Sequence, residues 1–162
     1  MTSDQSPLKQ KYTFLDFFYT IMTGTIPFLV SCLAIAKSSV FMLVVYIVIG
    51  LAVIVIIYRF YCTHCPHYTG TDKTVKCIFF WGMPKVFSPI PGPLTGMGKA
   101  ITFLAAIVLF VFPIYWLLGR LMLLIIYLLS SAVLVVGIRR NECSRCIYFD
   151  CPSNTVQKDM RT

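Results

Sequence analysis

Charged residues are scarce in this sequence, and acidic residues are the scarcest of them. Only 12% of the 162 residues are charged, with 6 Asp and Glu against 14 Lys and Arg, whereas 58% are hydrophobic. The mean hydropathy is +0.82. A water-soluble domain of this length needs more polar surface than that to cover its core. The composition therefore excludes an ordinary soluble domain and predicts an integral membrane protein.

Several signatures of known chemistry are also missing. The sequence has no phosphate-binding loop, no serine triad motif and no metalloprotease motif, so it indicates no reaction of those classes. Its basic residues are scattered between apolar runs instead of forming a stripe, which argues against nucleic-acid binding. Residues 1–11 are polar, and the apolar run that follows lacks a small-residue cleavage site. We therefore expect that run to remain as a membrane anchor.

Four apolar stretches are long enough to cross the hydrocarbon core of a bilayer, which takes roughly 17–25 residues of helix. Lipid offers no partner for backbone N–H and C=O groups, so the spans must be helical. The sequence predicts an all-α integral membrane protein of four transmembrane helices, arranged as two hairpins. The spans cover residues 17–36, 40–58, 100–118 and 121–138; a cysteine- and proline-rich loop covers 59–99 and a cysteine-rich tail 139–162.

None of the four spans contains a charged residue or a histidine. Proton pumps and ion carriers normally hold an ionisable side chain within the membrane, because it binds the moving ion. A haem held by two histidines inside the bundle is excluded unless a partner supplies ligands. A covalently attached haem is excluded as well, since Cys62-x-x-Cys65 is followed by proline instead of histidine. The spans are therefore expected to serve as an anchor.

The basic residues predict how the helices are oriented. With four spans, both termini, the loop 59–99 and the tail 139–162 share one side of the membrane. That side carries 12 of the 14 basic residues, and only Lys37 and Arg120 fall on the other side. Basic residues concentrate on the cytoplasmic side of membrane proteins. We therefore expect a multi-pass protein of the cell (inner) membrane with its termini, loop and tail in the cytoplasm.

Cysteine is the residue type that carries information about function. Of the seven cysteines, only Cys32 lies within a predicted span. The other six form two groups just beyond the ends of the second and fourth spans, and each group is a C-x-x-C sequence plus one further cysteine. The loop group is Cys62, Cys65 and Cys77; the tail group is Cys143, Cys146 and Cys151. If the groups share one site, the ends of these two spans must bring them close together.

Thiolates at this spacing are typical metal ligands. A C-x-x-C turn places two thiolates around one metal centre, and two such turns complete a four-sulfur shell. The pairs Cys65-Pro66 and Cys151-Pro152 resemble the ends of iron–sulfur binding segments, so an iron–sulfur cluster is the preferred cofactor. Zinc is the alternative, because it accepts four thiolates, or three thiolates and the imidazole of His64 or His67. Whether the six sulfurs form one site or two stays open.

The overall arrangement resembles the small accessory subunits of membrane redox complexes in anaerobes, such as Rnf-type or hydrogenase-type assemblies. That resemblance implies a subunit of a multi-protein electron-transfer complex, which contacts membrane lipid and larger partners and is not catalytic alone. A non-redox anchor or assembly subunit with structural zinc is the alternative. A four-helix thiol-disulfide oxidoreductase is a second alternative, although such enzymes need reactive cysteine pairs on the oxidising side, where this chain has only short turns.

Overall fold

The computed structural model describes residues 8–9, 12–70, 73–90, 92–147, 149, 154 and 156. These residues are mostly helical, and four helical segments are long and apolar enough to cross a membrane. The segments are Phe14–Ala36, Val40–His64, Gly96–Leu117 and Leu121–Cys143. The four membrane-length helices predicted from hydropathy are therefore confirmed.

The first membrane helix, α1 (Phe14–Ala36), begins at Phe14 instead of residue 17. Thr13 stands at the N-cap, and its hydroxyl accepts a hydrogen bond from the backbone N–H of Asp16 at 3.4 Å. The Asp16 carboxylate in turn accepts the backbone N–H of Thr13 at 3.0 Å. This reciprocal capping box satisfies two N–H groups that the helix itself leaves without partners. Hydrogen bonding, not hydropathy, therefore sets where α1 begins.

Two further membrane helices, α2 (Val40–Ile56) and α6 (Leu121–Gly137), end in the same unusual way. Each continues into a π-helical turn, Ile57–Tyr61 after α2 and Ile138–Cys143 after α6. A π-helical turn inserts a residue and so redirects the side chains that follow it. Both turns run into the C-x-x-C sequences, so helical backbone extends past the predicted span ends and carries the first cysteine of each pair.

The third membrane segment is divided at Pro113 into α4 (Gly96–Val111) and α5 (Ile114–Leu117). Proline has no N–H to donate and its ring clashes with the preceding turn, so it interrupts the helix. One turn earlier, the carbonyl of Phe110 accepts the hydroxyl of Tyr127 in α6 at 2.8 Å. Lipid supplies no such partner. This hydrogen bond therefore joins the third and fourth segments beside the interruption.

Substituting Tyr127→Phe should lower the free energy of unfolding by about 1 kcal/mol, as is usual for one interhelical hydrogen bond in a membrane protein. Reversible unfolding in mixed micelles measures the change. Tyr115→Phe is the matched control, because the Tyr115 side chain is 77% exposed and should be insensitive to loss of its hydroxyl. Equal effects of the two substitutions would contradict a specific role of the Tyr127 hydrogen bond.

The membrane helices pack around α1. Helix α1 contacts α2, α5 and α6, and α2 contacts α4. A Cβ atom added at Gly50 of α2 would lie 3.9 Å from Leu109 of α4, an ordinary van der Waals distance, so a larger residue than glycine fits at this contact. A buried cluster of Val30, Ala34, Leu117 and Tyr127 lies where α1, α5 and α6 meet. Many apolar side chains of these helices remain exposed, as expected of surfaces that contact lipid.

The loop between the second and third membrane segments is folded, which differs from the all-α expectation. It contains a short helix, α3 (Pro66–Thr69), and two antiparallel strands, β1 (Thr74–Lys76) and β2 (Trp81–Pro84). Gly82 has φ of 81°, a backbone conformation that glycine adopts without a steric penalty. Strands of three and four residues are too short to show a periodic sequence pattern, so hydropathy does not predict them.

Candidate metal centre

The loop and the tail meet at one end of the bundle, together with the residues that precede α1. The backbone N–H of Lys9 donates to the carbonyl of Arg145 at 2.7 Å. The Lys9 ammonium lies 3.0 Å from the carboxylate of Asp16 and 3.2 Å from that of Glu142. We call this region the head; it comprises the described residues before α1, between positions 57 and 90, and beyond position 137.

The core of the head is a cluster of aromatic side chains and cysteines. Its buried members are Tyr58, Cys62, Cys65, Tyr68, Val75 and Phe80; the partly buried Ile57, Cys77, Phe87 and Cys146 pack against them. Four of the six predicted cysteine ligands therefore lie in one cluster. They come from three separate parts of the chain, namely the end of the second membrane segment, the loop and the tail. We refer to this group of four cysteines as the thiol cluster.

Cys62 and Cys65 are held by a tight backbone turn. Cys62 opens a short 3₁₀ turn, Cys62–His64, and the N–H of Cys65 donates to the Cys62 carbonyl at 2.9 Å. Pro66 then occupies the first position of α3, where a missing N–H leaves no hydrogen bond unmade. The carbonyl of Thr63 accepts the N–H of Ile90 at 3.0 Å, which ties the later loop to this turn. The backbone therefore fixes the spacing of the first two thiols.

Cys77 lies between strands β1 and β2, where the chain turns back on itself. Burial raises the pKa of the Cys77 thiol, and a thiolate at Cys146 would raise it further. Hydrogen bonds from the backbone N–H groups of Ile78, Phe79 and Phe80 act in the opposite direction and lower that pKa. Donors of this kind stabilise the thiolate, which is the form that binds metal ions. Burial outweighs these hydrogen bonds, so the pKa of the Cys77 thiol is raised on balance.

The tail contributes Cys146 to the thiol cluster. Its Sγ atom lies 3.8 Å from Nε2 of His67. The ring of Tyr12 meets the His67 ring edge-on, with 5.0 Å between the centroids. The backbone carbonyl of Cys146 accepts a hydrogen bond from the Asn154 side chain at 2.9 Å. His67 is therefore the predicted histidine ligand that the structure brings to a cysteine sulfur.

Among the described residues, the thiol cluster does not include His64 or Cys143. Nδ1 of His64 is 3.1 Å from the carbonyl of Phe60, one helical turn earlier. Cys143 ends the π-helical turn after α6. Cys151 lies outside the described residues.

The four thiols share a cluster without yet forming a coordination shell. In the described part of the chain, no group of three His, Cys, Asp or Glu side chains is placed to hold a metal ion. Nor does a disulfide join any two of the six cysteines described there. The donor set nevertheless fits a thiolate-bound metal, because four sulfurs are what zinc and iron–sulfur centres take. Binding would require the side chains to turn toward a common point.

Sequence reasoning missed the aromatic scaffold around the thiols. The hydroxyl of Tyr58 donates to the carbonyl of Pro84 at 2.7 Å. The hydroxyl of Tyr68 accepts the backbone N–H of Phe87 at 2.9 Å. The two tyrosines thus fasten the end of β2 and the segment after it to the core of the head. The density of aromatic residues beside the cysteines is the sequence signal that could have indicated this scaffold.

Comparisons with known protein families, with curated proteins and with solved structures found no match for this chain. Its function is therefore argued from the geometry of the head alone.

Proposed function

We propose that this protein is a small membrane subunit of an electron-transfer complex, and that its head holds one metal centre through the thiol cluster. The observation that carries the proposal is that Cys77 and Cys146, both partly buried, pack against the buried cluster that contains Cys62 and Cys65, although the four cysteines come from three segments. Packing alone does not require cysteines from three segments to come together, whereas a thiolate-bound metal centre does. An iron–sulfur cluster is the preferred occupant, and it would supply one-electron chemistry.

The electrostatic surroundings support an anionic centre. The guanidinium of Arg59 lies 5.4 Å from the centroid of the Phe87 ring, and the Lys85 ammonium lies 5.8 Å from that of Tyr68. Both rings belong to the cluster that contains the cysteines. Thiolate ligands give a metal centre negative charge, and nearby cations offset that charge in a partly apolar site. Two cations therefore lie against aromatic rings of the core in which the cysteines pack.

A structural zinc site is the second candidate, and one observation favours it. Cys62 and Cys65 of the thiol cluster are buried in the hydrophobic core of the head, and Cys77 and Cys146 pack against that core. An ion bound there would link the loop and the tail, so its binding free energy would contribute to folding. In that case the protein would act as a non-redox anchor or assembly subunit.

Metal analysis of anaerobically purified protein separates the two candidates. An iron–sulfur cluster predicts broad absorption near ~400 nm, iron and acid-labile sulfide. A colourless protein with one zinc ion per chain would support the structural site instead. Protein that binds neither metal after reconstitution would overturn both.

The proposal includes a layout of two hairpins with the head in the cytoplasm. Contacts between α1 and α2, and between α5 and α6, support the hairpins, and the distribution of basic residues supports the orientation. Larger redox subunits would then dock on the cytoplasmic side.

Labelling with a membrane-impermeant thiol reagent tests this orientation in intact cells, with the unsubstituted protein as background. Ser38→Cys should add strong labelling, because position 38 lies in the short turn opposite the head. Gly70→Cys, in the head, should add labelling only after the cells are permeabilised. Labelling at position 70 but not at 38 in intact cells would reverse the assigned orientation.

A further inference from the structure

Three charged side chains join the start of the first membrane helix to the end of the fourth membrane segment. The ammonium of Lys9 lies 3.0 Å from the carboxylate of Asp16, in the first turn of α1. It also lies 3.2 Å from the carboxylate of Glu142, in the π-helical turn after α6. We call Lys9, Asp16 and Glu142 the ionic triad. Their side chains are 24%, 22% and 14% exposed, so water screens these ion pairs less than it screens pairs on an open surface.

The backbone beside Cys146 is held by the same residues. Lys9 pairs with Cys146 in an isolated parallel β-bridge, and its N–H donates to the carbonyl of Arg145 at 2.7 Å. The N–H of Arg145 in turn donates to the carbonyl of Glu142 at 3.2 Å, which closes a turn between the triad and the cysteine. Cys146 itself packs against the buried core of the head. The position of Lys9 is therefore coupled to the position of a predicted ligand.

We propose that Lys9 is a positioning residue of the metal centre: by bridging Asp16 and Glu142, it holds the tail so that the Cys146 sulfur stays beside the other three thiols. This inference rests on the proposed metal centre. It adds a residue from outside both C-x-x-C sequences to the determinants of that centre.

Cys146 reaches the centre from a segment of its own, so its order has to come from contacts with other parts of the chain. A ligand that becomes ordered only on binding lowers the affinity by the conformational entropy that is lost. The triad supplies that order before the metal binds. Without the ammonium, the carboxylates of Asp16 and Glu142 would repel each other, since both now lie within reach of one Nζ atom. Their repulsion would move the tail away from the start of α1.

Titration of the purified full-length protein with Co(II) tests this role, because Co(II) bound by thiolates absorbs through sulfur-to-metal charge transfer. Lys9→Met removes the charge, and we expect Co(II) affinity to fall on the order of 10-fold, as is typical when an outer partner of a metal ligand is lost. Lys9→Arg keeps a cation that can pair with carboxylates and should restore most of the affinity. Lys73→Met is the matched control, since Lys73 is an exposed residue of the head, and its affinity should not change.

A double-mutant cycle separates the positioning of Cys146 from a general loss of structure. In protein that already carries Cys146→Ser, Lys9→Met should weaken Co(II) binding no further, because the ligand that Lys9 positions is absent. In protein that carries Cys77→Ser, Lys9→Met should weaken binding by the same factor as in the unsubstituted protein. Losses of equal size in the two backgrounds would indicate general loosening and overturn the role of Lys9.

Alkylation of the metal-free protein gives a readout that does not depend on bound metal. We expect the Cys146 thiol to react faster in Lys9→Met than in the unsubstituted protein, and the Cys77 thiol to react at an unchanged rate, as measured by peptide mapping. An unchanged rate at Cys146, or an unchanged Co(II) affinity in Lys9→Met, would overturn the role of Lys9 and leave the metal centre standing. If the unsubstituted protein binds no Co(II), the proposed centre fails, and this inference fails with it.

Discussion

Replacing both Cys62 and Cys65 by serine is expected to abolish metal binding by the head. The two cysteines form the turn at the centre of the thiol cluster and are both buried there. A neutral hydroxyl is a poor substitute for a thiolate, and two lost ligands should weaken binding at least on the order of 10³-fold, given the large free energy of thiolate-bound metal. Metal content after purification and dialysis measures the effect directly.

The same double variant should still insert into the membrane. Insertion depends on the apolar length of the spans and on their flanking charges, and Cys62→Ser with Cys65→Ser changes neither. The matched control is Cys32→Ser, because Cys32 lies within α1 and outside the head; this variant should keep its metal. Normal electron flow through a complex assembled with the double serine variant would eliminate the redox function, and the anchor function would replace it.

Hydropathy was sufficient to predict the membrane part of this protein. In lipid, the backbone N–H and C=O groups must form hydrogen bonds within the segment itself. A long apolar run therefore has to be helical. The ends of the helices were predicted less well, since local hydrogen bonds determine them. Thr13 and Asp16 begin α1 ahead of the apolar run. The π-helical turn Ile57–Tyr61 extends the second segment through an arginine and three aromatic positions, where hydropathy predicts an end.

In the head, the sequence predicted only which residues are candidate metal ligands. The spacing Cys62-x-x-Cys65 indicates a metal site from the sequence alone, because the geometry of that turn is local. The packing of Cys77 near the other cysteines, and the approach of His67 instead of His64 to Cys146, depend on contacts between distant segments. Lys9 lies more than a hundred residues from Cys146 in the sequence, and no pattern within either segment predicts the β-bridge between them. Contacts between residues this far apart depend on how the segments pack in three dimensions. That packing cannot be read from a single sequence.

The two tail cysteines provide the sharpest test of which sulfurs form the centre. The spacing Cys143-x-x-Cys146 predicts that both act as ligands of a shell built from two C-x-x-C turns. The structure instead packs Cys146, together with Cys77 from the loop hairpin, against the buried cluster that contains Cys62 and Cys65. Cys143 stands earlier, at the end of the π-helical turn. Cys62, Cys65 and Cys146 belong to both arrangements. The fourth ligand is Cys143 in the arrangement predicted from spacing and Cys77 in the arrangement that the packing favours.

Cys146→Ser is expected to weaken Co(II) or zinc binding by about two orders of magnitude, because one of four thiolates is lost. Cys77→Ser should have an effect of the same size. Cys143→Ser is the matched control, with the same chemical change three residues away, and should retain most of the affinity. Competition with a chromophoric chelator measures all three variants. If Cys143→Ser loses the metal and Cys77→Ser keeps it, the proposed set of four is wrong. The ligands are then Cys62, Cys65, Cys143 and Cys146, which are the two C-x-x-C pairs of the sequence.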